Sequence, residues 1–171
     1  LRALMVQCEA EARALSRMLH PSDDRPQRLT FAQLPGLALV GAPGEVRSAI
    51  SNVVNNAVRY TPTGGAIDVR WHILPGGGAR LDVTDTGTGI PPEHLSRLGE
   101  RFYRVDRSRS RESGGTGLGL AITKHVVQRH GGELQISSAL GQGSCFSLLF
   151  PAQRVRLPID AAAAEQEPAR S

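Results

Sequence analysis

Lysine is almost missing from this 171-residue chain: of its twenty basic residues only Lys124 is not arginine. Aromatic residues make up only 4%, so the aromatic-and-basic interleaving of a nucleic-acid reader is absent, and no nucleic-acid partner is expected. Cysteine is limited to Cys8 and Cys145, far apart and without metal-ligand spacing. A disulfide scaffold and a zinc site are thereby excluded, and both thiols are read as small buried apolar groups. No apolar run approaches the ~20 residues that a membrane-spanning helix needs, and no signal-peptide pattern is visible. The first residue is Leu1 rather than Met, so the chain is expected to be a fragment of a longer protein.

What is present fits one globular domain: 40% hydrophobic residues, 21% charged residues and a length within the usual domain range. The net charge of +4 comes from arginine, whose planar fork pairs well with phosphate oxygens but also simply solvates a surface. Leu1, Leu4, Cys8, Ala12, Leu15 and Leu19 recur at three- and four-residue steps and predict a helix over 1–19. Leu29 with Phe31, and Leu37 to Val40, read as two short strands. A second helix runs from Pro43 to Tyr60 with Val46, Ile50, Val53 and Ala57 toward the core. Ile67, Val69, Trp71 and Ile73 alternate as a strand, followed across Pro75-Gly-Gly-Gly by Leu81, Val83 and Asp85. After Pro91-Pro92 come a short helix and an irregular stretch, 99–116. A third main helix opens near Thr116 and carries Leu118, Ile122 and Val126. Leu134 and Ile136 then pair with Phe146, Leu148 and Phe150 in a hairpin around Gly141-Gln-Gly143. This order predicts a two-layer α/β sandwich, a largely antiparallel sheet with helices on one face. The domain is placed at 1–154, and 155–171, rich in Ala, Glu, Arg and Pro, is expected to be a loose tail.

Four segments carry candidate chemistry. On the second helix Asn52, Asn56 and Arg59 stand at i, i+4 and i+7, one stripe beside the apolar face. Mid-helix asparagine is disfavoured because its amide competes for the backbone. Two solvated amides are one reading; oxygen ligands for a hard cation such as Mg²⁺, with Arg59 reaching phosphates, are the other. Asp85 points inward by alternation with Leu81 and Val83, and a buried carboxylate needs hydrogen-bond donors. It either caps the Thr86-Gly87-Thr88-Gly89 turn or accepts from the exocyclic amine of adenine. Gly114-Gly115-Thr116-Gly117-Leu118-Gly119-Leu120 opens a helix, where free N–H groups favour anions. Its spacing is neither that of a P-loop nor that of a dinucleotide-binding turn. Arg101, Arg104, Arg107, Arg109 and Arg111 crowd the stretch before it, either as a solvated basic loop or as a lid over a triphosphate.

In this order the segments Asn52–Pro62, Asp85–Pro91, Arg101–Asp106 and Gly114–Leu120 resemble the N, G1, F and G2 boxes of sensor histidine kinases. Gly141-Gln-Gly-Ser-Cys-Phe-Ser-Leu-Leu-Phe-Pro151 resembles the closing hairpin of the same family. The wording of Asn56-Ala-Val-Arg-Tyr-Thr-Pro and Arg101-Phe-Tyr-Arg-Val-Asp is similar to the phosphate-regulon sensor group. The resemblance covers about residues 1–151. It implies a Bergerat ATP-binding fold: a mixed sheet of about five strands with three main helices on one face.

By the same resemblance Asn56 ligates Mg²⁺ with Asn52 assisting, and Arg59 and Tyr60 contact the phosphate and ribose region. Asp85 reads adenine, Gly87, Gly89 and Ile90 form the base-side loop, and Gly115, Thr116, Gly117, Leu118, Gly119 and Leu120 the phosphate side. Arg59, Arg104 and Arg109 are the candidate catalytic cations. In the gyrase, Hsp90, MutL and anti-sigma kinase branches a Glu stands four residues before the cation-binding Asn and acts as base. Asn52 occupies that place here, which favours a histidine kinase over an ATPase or serine kinase. None of His20, His72, His94, His125 or His130 has the acceptor context His-Glu-Leu-Arg-Thr-Pro. The resemblance therefore implies the ATP-binding half of a kinase. Its partners would be its own dimerisation and phosphoacceptor domain and a response regulator. The parent would be a dimeric sensor of the bacterial inner membrane with this domain in the cytoplasm, and the fragment alone is expected to be monomeric. A degenerate module that keeps the fold without the chemistry is the remaining alternative.

Overall fold

The structure, a computed structural model, describes residues 1–21, 25–105 and 117–158. The first apolar stripe builds α1 (Arg2–Leu19), which buries Met5, Cys8 and Ala12. α2 (Pro43–Tyr60) starts with proline in its first turn, where the missing N–H has no intrahelical partner to lose. It buries Val46, Ala49, Ile50, Val53, Val54, Ala57 and Val58 against its neighbours. Thr61 ends it in an extended conformation, as a residue before proline should.

β1 (Arg28–Ala32), β3 (Ala66–Ile73), β4 (Ala79–Asp85), β6 (Gly143–Phe150) and β5 (Glu133–Ala139) lie side by side in that order. β1 runs parallel to β3 and every other neighbour is antiparallel. The mixed, largely antiparallel five-stranded sheet is thus as expected. Alternation gives the sheet one apolar face, with Ile67, Val69, Trp71, Leu81, Val83, Phe146, Leu148 and Phe150 all buried. After the short α3 (Pro92–Leu95) comes α4 (Gly119–Arg129), and α1, α2 and α4 form the second layer, α2 packing against both of the others. The other sheet face is polar: Asp82 accepts from Ser147 Oγ at 2.6 Å and pairs with Arg80 at 2.9 Å.

Two details depart from the sequence reading. Residues 155 and 156 are not part of a loose tail: β7 (Val155–Arg156) pairs with β2 (Ala38–Leu39), and Val155, 6% exposed, joins the core. Val155 and Leu157 alternate with Arg156, but a run this short is not enough to read as a strand, so only the pairing reveals it. The rest of the expected tail, 159–171, lies outside the described residues. On α4 the buried positions are Thr123, Val126 and Val127, while Ile122 is exposed. A hydroxyl takes the core position because the single Thr123 hydroxyl hydrogen is shared between the carbonyls of Ala49 and Gly119, at 3.1 and 3.0 Å from Oγ1.

Candidate functional site

Asp85 closes β4 at the edge of the apolar face, opposite Ile67 on one side and Ser144 on the other, and is 5% exposed. Gly87 N–H donates to its Oδ1 at 2.8 Å. Burial raises its pKa above the ordinary carboxylate value, and the amides of Gly87 and Ser144 partly offset this by stabilising the charged form. The inward orientation expected from alternation is what the structure has.

The loop after Asp85 is fixed from two sides. Thr88 N–H donates to Tyr60 O at 3.3 Å, so the end of α2 supports it from below. Gly87 comes so near that a Cβ there would stand 2.4 Å from Tyr60 O, and only glycine fits. Gly89 has φ +68°, and a Cβ on it would sit 2.0 Å from Ala139 O. From the β5–β6 side, Ser138 Oγ accepts the Ile90 N–H at 2.8 Å, and Gly141 N–H donates to Thr88 O at 2.7 Å. Ile90 itself packs on the core. Sequence reasoning misses Ser138 and Ser144, because no local pattern tells which serines of the closing hairpin face the loop.

Asn52, Asn56 and Arg59 share the half-buried flank of α2. Asn52 Nδ2 donates to Gly119 O at 3.1 Å, which ties the stripe to the first residue of α4. A carboxylate at this position would face that carbonyl with oxygen against oxygen. Tyr60 is 51% exposed, so its ring is available while its carbonyl supports the loop. Leu118 precedes α4, whose start has no side-chain cap, and Leu120 packs on the core. Phe102 N–H donates to Gly117 O at 3.0 Å, which brings the start of the arginine-rich stretch to the residues just before α4. Arg104 lies there as well, half-buried, with Cγ 3.1 Å from where Gly117 would carry a Cβ.

The described parts of all four segments therefore meet: the end of α2 touches the loop after Asp85 at Tyr60, its stripe touches α4 at Asn52, and Gly117, just before α4, touches Phe102 and Arg104. Asp106, Arg107, Arg109, Arg111, Gly114, Gly115 and Thr116 lie outside the described residues. Among the described residues, two hollows of about 360 and 370 Å³ border Leu1, and neither is lined by Asn52, Asn56, Arg59 or Asp85.

A helix stripe of amides, a buried strand-end carboxylate and a glycine loop thus stand together beside one end of this sheet. Residues 41–154 match the model of the histidine kinase-, DNA gyrase B- and HSP90-like ATPase family, and the chain belongs to that family. Within it the similarity is to sensor histidine kinases. The phosphate regulon sensor protein PhoR of Pseudomonas aeruginosa is 50% identical over 152 residues, which is 88% of this chain and 33% of that protein. The solved structure of the mycobacterial sensor histidine kinase MprB superposes with a TM-score of 0.69 at 31% identity, covering 90% of this chain and 97% of that one. Full-length ShkA, solved in complex with AMPPNP, gives a TM-score of 0.69 at 28% identity over 91% of this chain and 30% of its own. The chain thus spans about a third of the length of PhoR and is the ATP-binding catalytic domain of a sensor histidine kinase.

Proposed function

We propose that this domain holds ATP with Mg²⁺ and presents the γ-phosphate to a histidine on a separate helical dimerisation domain. The observation that supports this most is Asp85: a buried carboxylate, held by backbone amides, at the mouth of a glycine loop. One of its oxygens binds Gly87, and the carboxylate has further capacity to accept from the exocyclic amine of adenine. The bound AMPPNP of ShkA, a structural neighbour, favours the same class of ligand here.

Asn56, with Asn52 assisting, is the set proposed to hold the cation. The fit rests on donor chemistry: Asn52 turns its NH₂ to Gly119, leaving an oxygen, the atom a hard cation prefers. When bound there, the cation would supply positive charge against the phosphates. Arg59, Arg104 and Arg109 are assigned to the phosphates, Tyr60 to the ribose–phosphate region, and Gly115, Thr116, Gly117, Leu118, Gly119 and Leu120 to the phosphate-side loop. Gly87, Gly89 and Ile90 are assigned to the base side.

The acceptor imidazole nitrogen attacks the γ-phosphorus, the bond to the β–γ bridging oxygen breaks, and ADP leaves. An imidazole is already nucleophilic, so no base is needed on α2, and the amide at Asn52 suits this role better than a carboxylate would. The phosphoryl group then passes to a response regulator, and the parent protein is a membrane-anchored dimeric sensor with this domain in the cytoplasm. The domain proper covers 1–154 together with the β7 strand. Incubation with γ-labelled ATP tests the reading. The isolated chain should not label itself, and label should appear on an added dimerisation domain bearing the acceptor histidine. Stable phosphohistidine on this chain alone, or none on the added domain, would contradict it.

A further inference from the structure

We propose that Gln27 is a positioning residue for the nucleotide site, acting as a substitute donor at the last turn of α2. In an α-helix the carbonyl of residue i accepts from the N–H of residue i+4. For Val58 that residue is Pro62, which has no N–H to give. The last intrahelical bond is Thr61 N–H to Ala57 O at 3.0 Å. From a position immediately before β1, Gln27 Nε2 donates to Val58 O at 2.9 Å and to Thr61 O as well. Both amide hydrogens are used, and a flipped amide would set Oε1 against two carbonyl oxygens.

The arrangement is costly in one respect. Gln27 is 7% exposed, and its Oε1 and the Thr61 hydroxyl have no hydrogen-bond partner among the described residues. An apolar side chain of the same length would fill this space without leaving Oε1 unpaired. What it could not do is satisfy two buried carbonyls at a helix end that a proline has deprived of a donor.

Those carbonyls flank Arg59 and Tyr60. Tyr60 O accepts from Thr88, and Gly87, which packs on the same oxygen, donates to Asp85. The Gln27 amide is therefore connected to the proposed adenine-reading carboxylate through one helical turn and one loop. Neighbouring backbone bonds reinforce the strap: Arg28 N–H to Gly65 O at 2.9 Å and Gly64 N–H to Arg25 O at 2.7 Å. Gln27 would thus set the height of the α2 terminus against the base loop.

This inference rests on the nucleotide site proposed above, and its test separates the two. In Gln27→Met, which keeps the length and removes both donors, two quantities are measured. Amide hydrogen exchange at Gly87 and Thr88 should speed up tenfold or more while Leu81 and Val83 in the sheet keep their protection. Calorimetric affinity for AMPPNP with Mg²⁺ should fall about tenfold. Unchanged protection at Gly87 and Thr88, an equal loss of protection at every amide, or unchanged affinity would overturn the proposal. If Met is not accommodated, Gln27→Leu is read in the same way. Failure of the wild-type chain to bind AMPPNP would sink the nucleotide site, whereas the exchange comparison would still decide whether Gln27 positions the loop.

Discussion

Burial puts an electrostatic cost on the Asp85 carboxylate, and that cost is useful. A carboxylate whose folded pKa is raised binds more protons folded than unfolded in the interval above the ordinary value. Its contribution to stability is therefore fully present at low pH and is lost as pH rises through the folded pKa. Nucleotide binding runs the other way, since the ionised form is the better acceptor for the adenine amine. Affinity for ATP should hold at neutral pH and fall on acidification at a pH above the ordinary carboxylate value of about 4. Asp85→Asn should remove this pH dependence and weaken binding about tenfold to a hundredfold, from ~1.5–3 kcal/mol for a hydrogen bond to a charged group. Calorimetry across pH checks both. Asp85 could be found from the sequence because strand alternation has a period of two and fixes which way every second side chain points. Gln27 could not be found, because its partners are carbonyls of Val58 and Thr61, far along the chain, and no local pattern encodes them.

At the scale of elements, α2 is the organising piece: one face is buried, one flank carries the amides and Arg59, and its end supports the base loop. All three features come from helical spacing, which is why this helix was the most legible element. The join to α4 was less so. Asn52 and Thr123 reach the same carbonyl, Gly119 O, from different helices. Asn52→Asp keeps the shape but replaces a donor with an acceptor facing that carbonyl. Because Thr123 still donates to Gly119, the loss should stay near the low end of the ~1–3 kcal/mol cost of an unpaired buried group. Chemical denaturation measures it, and AMPPNP affinity should fall in the same variant as the phosphate side loses its anchor. The short β2–β7 pair was illegible for a different reason: two-residue strands have no period, and their pairing joins distant parts of the chain.

For the whole molecule, the sheet order puts the end of β4 between β3 and β6, so the base loop is enclosed by the end of α2 and the β5–β6 hairpin. The described parts of the four motifs, separate in sequence, thereby meet on one side of the sandwich. The chain spans a third of the PhoR relative, and under the proposed function it is the donor half of a phosphoryl transfer. The structure of this chain bound to AMPPNP and Mg²⁺ tests the account most directly. The adenine amine should lie within hydrogen-bond distance of the Asp85 carboxylate, with the phosphates against Asn56 and Arg59. A nucleotide seated away from Asp85, or with its phosphates turned from the α2 stripe, would contradict it.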